Sequence, residues 1–292
     1  MLNLFAKFLA QFSLPTIHYL GAGLGWLIHF FTPVNAKVQR ANLLQSGLAN
    51  DNLEAIIKQN IAESGKGLLE TLAIWQKPEA ELLAMVKNVH NWHIVEAALK
   101  AGKGIIFLTP HLGCFEITSI YYGSKNLITV LFRPPKLKWL QALMDAGRSR
   151  TGVSLAEANA GGVRKLMQAL KRGEAIGILP DQIPKAGEGE WADFFGKPAY
   201  TMTLACKLAE KTGATVIMAF GERLANGAGY DIHLTRIESI ATAGLLNKAI
   251  EAQVAKLPSQ YLWRYDRYKQ RRYALGKLLK VELSKTEETN KH

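Results

Sequence analysis

His111 and Glu116 stand five positions apart in Thr109-Pro110-His111-Leu112-Gly113-Cys114-Phe115-Glu116, where an apolar run gives way to a helical pattern. A neutral imidazole can take a proton from a hydroxyl near neutral pH, and a carboxylate on its other ring nitrogen fixes the tautomer and stabilises the imidazolium as it forms. On a continuous helix that spacing separates the two side chains by about 140°. They meet only if the backbone turns between them, and Gly113 permits such a turn. The same residue types also fit a capping histidine beside a helix-start glutamate, so the surrounding elements have to decide.

Those elements alternate. Residues 104–108, 127–132, 153–156, 175–179 and 215–220 are short, apolar, β-branched runs that read as strands. Between them, residues 137–144, 163–171 and 202–212 carry helical periodicity, and Gly213 stops the last. Residues 37–100 read as amphipathic helices, 184–190 as a polar loop, 230–235 as a half-exposed edge strand and 245–257 as a helix. This order predicts one α/β domain with a mostly parallel central sheet flanked by helices. Open sheets of that kind bind ligands beyond the carboxyl ends of their strands. One such end carries His111, another Arg133, and a third Asp181 in Pro180-Asp181-Gln182. A surface arginine or a turn aspartate would look the same in sequence.

The two cysteines, Cys114 and Cys206, offer neither a disulfide framework nor zinc spacing. Cys206 reads as a small core residue, and nothing beside Cys114 marks it as an activated nucleophile. Neither His90 nor His93 has a partner at metal-ligand spacing, and Glu70, set among apolar residues, reads as solvated, with a place lining a site as the alternative. No G-x-S-x-G elbow is present.

With 48% hydrophobic and 21% charged residues, the 292-residue chain belongs among folded proteins and can bury a core without staples. Its net charge of +12 points to an anionic partner, whether nucleic acid, an acidic protein or an anionic membrane. No charged residue occurs from Phe8 to Ala36. Pro15 and the run Gly21-Ala22-Gly23-Leu24-Gly25 break up this apolar stretch, which predicts a kinked membrane helix or a hairpin lying in the interface. A cleaved signal peptide ending at Val34-Asn35-Ala36 is a further reading. The expected organisation is an amino-terminal membrane anchor over 1–36, a catalytic domain over 37–273 and a polar, disordered tail over 274–292. Arginines interleaved with aromatics between Arg264 and Arg272 suit phosphates, a membrane interface or stacked bases.

The motif at His111 resembles the H-x4-D/E box of the glycerolipid acyltransferase superfamily. Four further stretches narrow the resemblance to its bacterial lipid A biosynthesis branch, the late lauroyl and myristoyl transferases. They are Leu14-Pro15 and Leu24-Gly25-Trp26-Leu27 followed by Arg40-Ala41-Asn42-Leu43; Phe132-Arg133-Pro134 running to Gly147-Arg148-Ser149-Arg150; Leu179-Pro180-Asp181-Gln182 with Phe194-Phe195-Gly196; and Gln260-Tyr261-Leu262-Trp263. The resemblance covers residues 1–272 in order.

It implies a glycerol-phosphate acyltransferase-like fold with an amino-terminal membrane-associated helix. His111 would be the general base and Glu116 its orienting partner. Arg133, with Arg148 or Arg150, would bind substrate phosphate, and Asp181 would be a further substrate-site residue. The implied donor is an acyl chain on acyl carrier protein. The implied acceptor is a hydroxyl of an anionic amphiphilic lipid, a lipid A precursor, with another lyso-lipid (a lysophospholipid or an amino-acid lipid) as the alternative. Neither metal nor organic cofactor nor nucleic acid is implied, and the setting would be the bacterial inner membrane with the catalytic domain facing the cytoplasm. A non-catalytic binder of anionic membrane or nucleic acid is a remote alternative that leaves the His111 box unexplained.

Overall fold

A computed structural model describes residues 2–49, 52–135 and 138–269. Seven strands form the central sheet in the order β1-β9-β8-β2-β5-β3-β4: β1 Val86–His90, β2 Ile105–Leu108, β3 Ile128–Phe132, β4 Val153–Glu157, β5 Ala175–Ile178, β8 Thr215–Arg223 and β9 Tyr230–Ile237. β2, β3, β4, β5 and β8 run parallel. β9 is antiparallel to β8, and β1 lies parallel to β9. A separate antiparallel hairpin joins β6 Gly189–Phe194 to β7 Lys197–Met202.

Side chains alternate across the central strands, so each strand feeds two cores. Ile105, Phe107 and Ile217 pack on one face, against α5 Glu79–Met85, α6 His93–Ala101, α7 Phe115–Gly123 and α8 Lys138–Arg148. Ile106, Leu108 and Met218 pack on the other, against α9 Ala160–Lys171, α10 Leu204–Thr212 and α11 Ala243–Val254. Burial on both faces explains why β2 and β5 lack the polar alternation of a surface strand.

Three expectations change. β1 lies inside the stretch read as wholly helical, because its half-exposed Val-Lys-Asn-Val-His pattern is short and polar. β1 covers β9, so the strand expected at the edge is the second one in. Part of the polar loop forms the start of the β6–β7 hairpin, whose turn places Phe195 and Gly196 at positive φ of 47° and 75°. The tail over 274–292, and Arg271 and Arg272, lie outside the described residues.

The amino-terminal segment folds as α1 Leu2–Leu9, α2 Leu14–Phe31 and α3 Pro33–Ser46, followed by α4 Leu53–Ile74. Ser13 caps α2 by accepting the Thr16 amide, and Pro15 sits in its first turn, where a missing N–H costs nothing. The glycine-rich run serves a helix contact. A Cβ on Gly65 of α4 would fall 2.0 Å from the Gly21 carbonyl oxygen and 2.4 Å from the Gly25 nitrogen. The opposite surface exposes Tyr19, Leu20, Trp26, Leu27, Phe30 and Phe31. Among the described residues, no helix is long and apolar enough to cross a membrane.

Candidate active site

The segment leaving β2 turns sharply before α7. Gly113 has φ +61°, and a Cβ there would lie 2.0 Å from the Gly221 carbonyl oxygen. Its amide donates to the Gln260 carbonyl at 3.1 Å, and the Cys114 amide donates to Gly221 at 2.7 Å. The closing Gln260-Tyr261-Leu262 segment braces the same turn, since the Leu262 amide donates to the His111 carbonyl at 3.0 Å. Glycine is required here by both the conformation and the close approach.

The turn aims the His111 ring toward the end of β5. His111 Nδ1 lies 2.8 Å from Oδ1 of Asp181, and Oδ2 of the same carboxylate accepts the His111 backbone amide at 2.9 Å. Asp181 is 3% exposed. Burial alone would raise its carboxyl, but the His111 ring beside it and the hydrogen bonds it accepts hold it below the usual aspartate range. An ionised carboxylate only accepts, so Nδ1 carries a proton, and in the neutral ring Nε2 is the nitrogen with the lone pair. The Gln182 amide nitrogen sits 3.2 Å from Nε2.

Glu116 is therefore not the carboxylate on His111. It stands in the first turn of α7, beyond the bend at Gly113, where its two oxygens accept the Nε–H of Arg148 at 3.0 and 3.1 Å, and Nη2 closes a second contact. The Arg148 guanidinium also lies over the Trp75 ring. Arg150 points away from the site and donates to the Gly147 and Lys77 carbonyls at 2.8 and 3.0 Å, which makes it a clamp on the backbone. Arg133 is exposed and lines a separate open groove with Asn159, Met202 and Lys207, whose walls do not include His111. Of the expected site residues, then, the fold brings His111 together with Asp181 and Glu116 with Arg148.

Two spaces meet at Phe115 and Glu116. One is an open cleft in which His111, Glu63, Thr71, Gln260 and Arg223 are set among the apolar walls of Leu68, Phe115 and Leu262. The other is an enclosed apolar pocket between α7 and the sheet, walled by Phe107, Tyr122, Val130, Leu155 and Leu234 with Arg148 at its polar side. Gly177 and Ala219 keep its floor open by their small size.

Arg223 carried no sequence signal as a site residue, and Glu70, expected to be solvated with a place lining a site as the alternative, takes the alternative. Glu70 is 1% exposed, not solvated, and accepts from Arg223 Nε at 2.7 Å and from the Tyr230 hydroxyl at 3.1 Å. Its place among apolar residues was the available signal. Cys114 is buried, and burial and then the Glu70 charge push its thiol well up, which fits an inert residue. The basic and aromatic stretch is partly structural: Arg267 is buried and donates to the Tyr200 carbonyl and the Thr201 hydroxyl.

Residues 1–270 match the family model for bacterial lipid A biosynthesis acyltransferase. The chain is 26% identical to the lipid A biosynthesis lauroyltransferase of Escherichia coli K12, covering 89% of this chain and 88% of that one. It is 25% identical to the palmitoleoyltransferase of the same organism, over 89% and 87% of the two chains. A lipid A biosynthesis acyltransferase of Haemophilus influenzae is 24% identical over 88% and 85%. The match over nearly the whole length places this chain in the bacterial lipid A biosynthesis acyltransferase family.

Proposed function

We propose that the chain moves a fatty acyl group from the thioester of acyl carrier protein to a hydroxyl of a membrane lipid, a lipid A precursor. The observation that carries this reading is a histidine–carboxylate pair at an open cleft that adjoins an apolar pocket. The apolar lining of the pocket matches the chemistry of an acyl chain, which would widen the space as it enters, and the cleft beside His111 suits the acceptor hydroxyl.

His111 Nε2 takes the proton of the acceptor hydroxyl as its oxygen bonds to the thioester carbonyl carbon. Asp181 holds the tautomer that makes this possible and stabilises the imidazolium. The tetrahedral intermediate carries its negative charge on the former carbonyl oxygen. The Gly113 and Cys114 amides already donate to Gln260 and Gly221, which leaves the Phe115 and Glu116 amides at the start of α7, or the Arg148 guanidinium beside them, to donate to that oxyanion. Collapse breaks the carbon–sulfur bond, and the departing thiolate takes the proton back from His111. Glu116 keeps Arg148 fixed where the cleft and pocket join.

The exposed apolar face of α2, with its other face packed on α4, supports a helix lying in the membrane interface rather than across it. That would bring the lipid hydroxyl to the cleft from the bilayer side, with the donor arriving from the cytoplasm. Mass spectrometry of lipids from a strain lacking the chain tests the reading. Loss of one acyl chain from lipid A is expected, whereas loss from a lysophospholipid product would change the acceptor.

A further inference from the structure

Arg223 ends β8 beside the catalytic turn and is 7% exposed. Its guanidinium makes a fork. Nη2 donates to the Gly113 carbonyl at 2.9 Å, and Nε donates to Glu70 at 2.7 Å. Its own backbone is locked by Gln260, whose side chain accepts the Arg223 amide and donates to the Arg223 carbonyl, each at 2.9 Å. Glu70 is held in turn by the Tyr230 hydroxyl and by His18 Nε2 at 2.9 Å, and His18 comes from the amino-terminal helix α2. The Glu63 carboxylate lies 3.4 Å from Nη1.

The chemistry proposed for His111 does not use this cluster. Yet one arm of it grips the carbonyl of the residue whose left-handed conformation sets the direction of the turn. A carbonyl is a weak site at which to place a buried charge unless a counter-charge is also present, and Glu70 supplies it. We infer that Arg223 is a positioning residue for the His111 turn, anchored by Glu70, and that His18 ties the apolar amino-terminal helix into the same hold.

The inference rests on the acyl-transfer reading, and Gly67 of α4 offers a way to test it without removing any charge. A Cβ on Gly67 would fall 2.8 Å from Arg223 Nη2, too close for the guanidinium to stay where it is. Alanine also favours the helix over glycine, so Gly67→Ala should not loosen α4. In the full chain this variant is expected to stay folded but to melt below wild type, because the displaced guanidinium pairs less well with buried Glu70. Its kcat for acyl transfer should fall roughly tenfold, as for a small misplacement of catalytic groups, and by more than any change in KM that the methyl causes where Gly67 borders the cleft. Hydrogen exchange at the Gly113 and Cys114 amides, both bonded in the turn, should quicken. In an Arg223→Lys background, which lacks Nη2, the same alanine should add little, because both changes act through one contact.

Wild-type turnover and wild-type exchange in Gly67→Ala would overturn the inference, as would full additivity of the two substitutions. A wild-type chain that transfers no acyl group would instead overturn the acyl-transfer reading, and exchange at Gly113 and Cys114 would still decide the positioning role.

Discussion

One carboxylate of Asp181 holds both the ring and the backbone of His111, at 2.8 Å to Nδ1 and 2.9 Å from the amide. This double grip fixes the imidazole in orientation and tautomer together. Asp181→Asn keeps the size of the side chain but lets its amide donate to Nδ1, which moves the ring proton to Nε2, where the base must be free. Its kcat should fall about a thousandfold with the fold intact. Steady-state acyl transfer together with a melting curve checks both halves.

Glu116 and Arg148 face each other across the junction of cleft and pocket, and neither touches His111. Glu116→Gln and Arg148→Met should therefore act as a single lesion. Each should cost about 3 kcal/mol by leaving the other charge unpaired, and the double variant should be no worse than either alone. Denaturant midpoints of the three variants measure this directly.

Acid should loosen the cluster around Glu70. Burial raises that carboxyl, but Arg223 and then His18 more than offset it, bringing it from 4.5 to about 2. A group depressed on folding contributes stability fully above its unfolded value and loses it as pH falls toward the folded one. The contribution should thus be complete above pH 4.5 and fade toward pH 2. Asp181, lowered from 3.8, adds in the same direction. Urea midpoints followed over this range should fall in wild type and fall less steeply in Glu70→Gln.

The pocket under α7 can be filled from its floor. Ala219 lines it and is 2% exposed, so Ala219→Leu places extra bulk in the space assigned to the acyl chain. The stability cost should be about 1–3 kcal/mol. Transfer of long chains should drop more than transfer of short ones, read as the ratio of kcat/KM for donors of two lengths.

Much of the framework was legible because the central strands are continuous apolar runs separated by periodic helices and punctuated by glycine. The strand ends at His111 and Asp181 were therefore correctly located. What sequence spacing could not show was which carboxylate His111 meets. Glu116 is the nearer in the chain, but the bend at Gly113 turns the two apart, while β2 and β5 are hydrogen-bonded neighbours that bring Asp181 alongside. Arg133 looked equivalent to Asp181 as a polar residue at a strand end, yet it faces a different groove. The link between Glu70 and Arg223 was hidden for a similar reason. Their pairing spans 153 residues and depends on how α4 lies across the end of β8.

The most direct test of the proposed chemistry is to return His111→Ala to a strain lacking the chain and weigh its lipids. Wild type should restore the missing acyl chain, and His111→Ala, folded and present at the same level, should leave it missing. Restoration by His111→Ala to the wild-type extent would contradict the assignment of His111 as the base.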